Sequence, residues 1–301
     1  MVAYVIVDVA AAPPCGDNGA MAGHLILIPT PIGNLGDLTL RAGEALASAH
    51  LVACEDTRRT GKLLSHLELE KPLQRFDDHA GEAAFERVAL ELAAGRTVAY
   101  CSDAGMPGIN DPGFELARLA REAGAEVTWL PGPSAVLLAV VASGLPCHAF
   151  SFLGYLPSKG EARRTFLKRV LAREETTVLF ETPHRIHEAL SELEVLAPDR
   201  EIALGRELTK LHESWYRGTP AEVIRSLGGE DRGEMVLVVA GADAKRTVSE
   251  AAAEYTGELP DWARRYLDAA RDGGLTLREA VKPIAKHLGV SASEIYRLAA
   301  V

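Results

Sequence analysis

Residues 98–113, VAYCSDAGMPGINDPG, decide the reading of the chain. Residues 98–101 form a short apolar run of the kind that makes a buried strand, and helical apolar spacing resumes only at Phe114. Between them, Gly105 and Gly108 permit positive φ and close approach of a ligand to backbone. Pro107 and Pro112 stiffen the turns, and Asp103 and Asp111 place carboxylates at the rim. A loop of this make-up at the carboxyl end of a strand is where open α/β sheets bind small molecules. An ordinary tight connection has the same composition, but the pattern recurs. PTPIGNL at 29–35 and PGPSA at 131–135 also follow apolar runs.

Composition bounds the answer. The 301 residues are 48% hydrophobic and 25% charged, enough for two ordinary cores plus an appendage. A net charge of -10 argues against holding nucleic acid by bulk electrostatics, while leaving room for a local basic face. Cys15, Cys54, Cys101 and Cys147 are widely spaced with no CxxC pair, so neither a metal site nor a disulfide framework is indicated, and a reducing, cytoplasmic setting fits. The longest apolar stretch, 134–145, is too short to span a bilayer, so no membrane partner is expected.

Residues 1–23 read as a leader, either disordered or preceding a natural start at Met21. From His24 strands alternate with helices: strands at 25–28, 51–54, 73–76, 97–101 and 126–130, helices at 39–48, 62–67, 82–94, 114–123 and 135–142, with EDTRRT at 55–60 as a polar loop. This spacing predicts parallel βαβ units over 24–146. A second αβ domain is expected over 147–241. Its strands are at 150–153, 176–180, 201–204, 212–217 and 235–240, and its helices at 160–172, 184–196 and 221–227. A linker and helical tail fill 242–301. In the tail Thr276 caps a helix that Pro283 should kink and Gly289 should stop, and Ser291 with Glu294 has capping-box spacing. Such a helical pair suits either nucleic-acid recognition or docking on a neighbour. The fold class is therefore α/β, with a parallel-sheet first domain, a mixed-sheet second domain and a small helical appendage.

The ordered set PTPIGNLGDLTLRA, ACEDTRRT, SDAGMPGINDPG, PGPSA, SGLP, FETPHR and RELTKLHE resembles the bacterial small-subunit ribosomal RNA cytidine 2'-O-methyltransferases, of the tetrapyrrole-methylase-like class of S-adenosylmethionine enzymes. The match runs from about His24 to Gly241, and the tail is similar too. Met106 and Gly108 depart from the Thr and Leu usual in the central loop. RFDDH at 75–79 departs from the more usual Tyr-His-Glu-His pattern. The resemblance implies a two-domain homodimer with S-adenosylmethionine in the cleft between domains, methylating the ribose 2'-hydroxyl of a cytidine in the decoding region of 16S ribosomal RNA. Carried over by motif, the cofactor-binding residues are Pro31, Ile32, Gly33, Ser102, Asp103, Gly105, Ser134, Ala135, Phe180 and Met235. No GxGxxG cradle is present, and none is needed for a cofactor without pyrophosphate.

The sulfonium already activates the methyl group, so the protein's work is alignment of hydroxyl oxygen, methyl carbon and sulfur, with a base to take the hydroxyl proton and no metal. Candidate bases in the matching motifs are Glu55, Asp56, Glu181, His184, Glu207 and Lys210. The polar group Arg206, Glu207 and Lys210, directly after an apolar strand, is the preferred catalytic set, for substrate positioning or proton removal; a surface ion-pair cluster would look the same.

Between Tyr155 and Arg185 seven basic side chains face four acidic ones, a local net of +3 against the acidic whole. Arg58, Arg59, Arg163, Arg164, Lys168, His184 and Arg185 are the expected contacts to RNA, with Tyr155, Trp215 or Tyr216 as platforms for a splayed base. The partner is then 16S ribosomal RNA or the small ribosomal subunit. Two other readings stay open: a methylase of the same class acting on a tetrapyrrole or other small substrate, and a non-catalytic ribosome-assembly factor.

Overall fold

The computed structural model describes residues 23–229, 232–242, 257–288 and 290–300. The expected leader up to residue 22, most of the expected linker and the helix stop at Gly289 lie outside the described residues. The chain divides into two compact units, one running to Leu138 and including Glu207–Glu213, the other taking Ala139–Arg206 and the chain from Ser214 onward.

The first unit holds strands β1 (His24–Ile28), β2 (Leu51–Cys54), β3 (Leu73–Arg75), β4 (Thr97–Cys101) and β5 (Glu126–Trp129), in the order β3-β2-β4-β1-β5, all parallel. Helices α1 (Leu40–Ser48), α2 (Thr57–His66), α3 (Glu82–Ala93) and α4 (Gly113–Glu122) connect them, and α5 (Ala135–Ser143) follows β5. The three central strands, β1, β2 and β4, are apolar without alternation because both faces are covered. Leu25, Leu27, Leu51, Val98 and Tyr100 pack on one face with Val88 and Leu92 of α3 and Leu116 of α4. Ile26, Ile28, Val52, Cys54 and Cys101 pack on the other with Leu46 of α1 and Leu63 and Leu64 of α2.

Strand order also locates a crevice. The connection leaving β1 runs to β2, beyond β4, and the connection leaving β4 runs to β5, on the far side of β1. Two neighbouring strands thus send their chains in opposite directions, which opens the sheet edge at their carboxyl ends. Register makes those ends level: Ile28 pairs with Cys101, and Cys101 with Cys54.

The second unit contains β6 (Phe150–Tyr155), α6 (Gly160–Leu171), β7 (Thr176–Glu181), α7 (Pro183–Leu196), β8 (Ile202–Arg206), β9 (Ser214–Gly218), α8 (Pro220–Leu227) and β10 (Met235–Val239). Its sheet, β6-β7-β10-β8-β9, is mixed: only β6 and β7 pair in parallel. Leu167, Leu179, Ile186, Leu190, Leu204, Val223 and Leu237 form its core. The tail forms α9 (Asp261–Asp272), α10 (Leu277–Leu288) and α11 (Ala292–Ala299) around Ala263, Val281, Ile284, Leu288 and Ile295. Thr276 caps α10 as expected, exchanging hydrogen bonds with Glu279, and the helix continues through Pro283. Among the described residues no helix is long and apolar enough to cross a membrane.

Three expectations are corrected. EDTRRT is not a loop: α2 starts at Thr57 because Asp56 caps it, accepting from Arg58 N at 2.8 Å. The strand expected at 201–204 extends to Arg206, since Met235 of β10 pairs with that residue. The strand expected at 212–217 begins only at Ser214, because 207–213 turns away into the first unit.

Candidate active site

Three loops converge at the carboxyl edge of the parallel sheet. Thr30, after β1, and Gly105, after β4, exchange both backbone hydrogen bonds at 3.0 Å as an isolated antiparallel bridge. The Thr30 hydroxyl donates to the Ser102 carbonyl at 3.0 Å, and the Ser102 hydroxyl donates to the Gly105 carbonyl at 2.9 Å. Gly105 has φ +81°, which a side chain would strain, and a Cβ there would lie 3.3 Å from Ile32 Cγ2. The third loop reaches the same place: Gly132 packs on Pro29, and Ser134 caps α5, its hydroxyl accepting from Leu137 N at 3.3 Å.

The β2 end is clasped to the β4 loop. Glu55 Oε1 accepts from Asp103 N at 2.6 Å, and Asp103 Oδ1 accepts from Asp56 N at 3.0 Å. Arg59 lies 3.5 Å from Asp103 Oδ2. Burial pushes the Glu55 carboxyl up to about 7, opposed by the Asp103 N–H bond and reinforced by the charges of Asp103, Asp111 and Asp78. Asp56 is held well below the ordinary carboxylate range by its hydrogen bonds to Arg58. Asp111 serves the loop itself, accepting from Gly108 N at 2.9 Å, Gly113 N at 2.8 Å and the Tyr100 hydroxyl at 3.1 Å. Desolvation of Tyr100 raises its pKa, so that hydroxyl stays a donor.

Pro31, Gly33, Ser102 and Asp103 line a cavity of about 190 Å³, with Thr30, Arg59 and Lys62 among its other walls. Residues 207–210 sit over Gly33: a Cβ on that glycine would collide with the Lys210 side chain and lie 2.9 Å from Thr209 Oγ1. Lys210 Nζ pairs with Glu207 Oε1 at 2.8 Å.

The first unit therefore brings together Pro31, Ile32, Gly33, Ser102, Asp103, Gly105, Ser134 and Ala135 of the expected cofactor set with Glu207 and Lys210 of the expected catalytic set. Arg206, Phe180 and Met235 belong to the second unit. Arg206 Nε donates to the Arg232 carbonyl at 2.9 Å, Phe180 packs edge-on with Phe152 and Tyr155, and Met235 is buried between Glu181 and Arg206 in the sheet.

Of the residues expected to touch RNA, Arg164 and Lys168 on α6 and His184 on α7 are exposed. Arg58 is exposed and paired with Asp56 at 2.6 Å. Arg163 is buried, its guanidinium held by Glu188 at 2.9 Å and Glu192 at 2.8 Å, so it fastens α6 to α7. Arg185 is half-buried and pairs at 3.1 Å with the buried Glu181, whose carboxyl is pushed up by burial and held back by the Thr182 N–H and Arg185. Sequence reasoning missed Thr30, whose role is visible only once β1 and β4 are neighbours. It named Glu55 as a base without foreseeing the clasp. Among the described residues no group of His, Cys, Asp and Glu side chains could hold a metal ion.

The parallel sheet, its clasped loops and the mixed second sheet define a methylase architecture, and comparison agrees. The family model "Tetrapyrrole (Corrin/Porphyrin) Methylases" matches residues 24–224. A solved uroporphyrin-III-C-methyltransferase from Thermus thermophilus shares the fold, with a TM-score of 0.53 at 24% identity over 75% of this chain and 97% of that one. Curated relatives are nearer. Ribosomal RNA small subunit methyltransferase I of Vibrio cholerae is 41% identical over 93% of this chain and 94% of its own length, and that of Bacillus subtilis is 39% identical over 91% and 93%. The chain belongs to the tetrapyrrole methylase family and, within it, to the ribosomal RNA small subunit methyltransferase I group.

Proposed function

We propose that this chain transfers a methyl group from S-adenosylmethionine to the ribose 2'-hydroxyl of a cytidine in the decoding region of 16S ribosomal RNA. The observation that carries the reading is the cavity at the sheet's switch point, walled by the motifs that resemble the ribosomal RNA methyltransferases. Its name-bearing relatives are ribosomal RNA small subunit methyltransferases that match almost end to end. The residues fit the cofactor: Gly33 exposes backbone to a ligand, Pro31 and Leu63 supply apolar surface, and the Asp103 carboxylate suits a cationic group, while Gly105 and Ile32 hold the loop behind them. When bound, S-adenosylmethionine supplies an activated methyl group. The chain's own residues then orient the acceptor hydroxyl and receive its proton, and Lys210 with Glu207, seated over Gly33, are the groups assigned to that task. Arg206 is assigned to substrate positioning.

The exposed Arg58, Arg59, Arg164, Lys168 and His184 supply phosphate contacts, in a cytoplasmic homodimer with domains at 24–146 and 147–241 and an appendage beyond. Labelled S-adenosylmethionine offered with small ribosomal subunits lacking the modification, free 16S ribosomal RNA, or a tetrapyrrole tests the reading. Label is expected in the RNA. Label only in the tetrapyrrole would replace the substrate class, and cofactor binding without transfer to any acceptor would favour an assembly factor.

A further inference from the structure

The segment over Gly33 contains a hydroxyl that the fold does not use. Thr209 Oγ1 is buried and has no hydrogen-bond partner. Its backbone, by contrast, is satisfied: Thr209 N donates to Glu213 Oε2 at 2.7 Å, Lys210 N to the Glu207 carbonyl at 3.0 Å and Glu213 N to the Lys210 carbonyl at 3.1 Å. Thr209 also has φ +66°, and Glu207, two residues earlier, φ +52°. A β-branched residue in the left-handed region is strained, and an unpaired buried hydroxyl is a further cost. Glycine would relieve the first and valine the second, so stability alone does not select threonine here.

The location supplies a reason. Thr209 Oγ1 lies 2.9 Å from the point that a Cβ on Gly33 would occupy, and Gly33 lines the cavity together with Pro31, Ser102 and Asp103. We propose that Thr209 is a binding residue of this site, its hydroxyl reserved for a hydrogen bond to a polar group of bound S-adenosylmethionine. The proposal rests on reading the cavity as the cofactor pocket. The segment's two tight turns fix the Thr209 backbone beside Gly33, and binding turns the covered hydroxyl from its packed position toward the cavity.

Thr209→Val keeps the shape and removes the hydroxyl, while Thr209→Ser keeps the hydroxyl and removes the methyl. Calorimetric titration with S-adenosylmethionine is expected to show the valine variant binding roughly three- to tenfold more weakly, the worth of one net hydrogen bond, and the serine variant within about twofold of wild type. Without ligand, the valine variant should unfold at a temperature equal to or above that of wild type. Unchanged cofactor affinity in Thr209→Val, or equal weakening in both variants, would overturn the proposal. So would a lower unfolding temperature of the ligand-free valine variant, which would make the hydroxyl structural. Unchanged cofactor affinity with a raised KM for RNA would move the hydroxyl's partner to the acceptor. No binding by wild type would overturn the reading of the cavity, and the proposal with it.

Discussion

Asp103 and Asp111 stand eight residues apart in one loop and do different work. Asp111 spends its carboxylate on two backbone N–H groups and the Tyr100 hydroxyl. Asp111→Ala should therefore destabilise the fold by about 2–3 kcal/mol, measured by urea unfolding, because it removes the charged acceptor of these donors and leaves them unpaired. Asp103 lines the cavity, and Glu55 holds its backbone. The Glu55 carboxyl titrates near 7 in the fold against an ordinary 4.5, so folding disfavours its ionised form. That penalty is absent below the unfolded value and fully present above about 7. Glu55→Gln, which keeps the acceptor oxygen, should raise the unfolding temperature at pH 8 and lose most of that advantage by pH 5; an advantage independent of pH would contradict the raised carboxyl. Sequence alone marked both aspartates as rim carboxylates. Composition could not separate them, only the motif resemblance singling out Asp103, because the difference lies in which N–H groups the folded loop points at each one.

At the scale of elements, the level ends of β1, β2 and β4 create the site, and the segment 207–213 completes it. Gly33 admits that segment. Gly33→Ala would force the Lys210 side chain and Thr209 away, so the unfolding temperature should fall and S-adenosylmethionine affinity, measured by titration below that temperature, is expected to drop about tenfold or more. Apolar runs bounded by Gly and Pro made the strands legible, and alternation with helices made the parallel sheet legible. The start of α2 was not, because Asp56 reads equally as a loop acid or a cap until its bond to Arg58 N is seen. Nor was the return of 207–213, since the apolar run ends at Leu204 and nothing in the polar stretch that follows says where the chain then goes. The positive φ of Glu207 and Thr209 has no sequence signal at all, neither residue being glycine.

For the whole molecule, a protein of net charge -10 that acts on RNA needs its cations exposed where RNA meets it. Charge counting over 155–185 treated Arg163 and Arg164 alike. The fold buries the first against Glu188 and Glu192 and leaves the second in solvent. Arg164→Glu with Lys168→Glu should raise KM for the RNA substrate about tenfold and flatten its salt dependence by about two phosphate contacts, with cofactor affinity unchanged. Arg163→Ala should instead lower stability by about 1–2 kcal/mol, because it removes a buried side chain and its bonds to Glu188 and Glu192, whose carboxylates remain in reach of solvent. The most direct test of the account is the chemical identity of the product. Small subunits from cells lacking the activity, methylated in vitro and digested to nucleosides, are predicted to yield one new 2'-O-methylcytidine by mass analysis. A methyl group found on a base, or no methylated nucleoside despite bound S-adenosylmethionine, would contradict it.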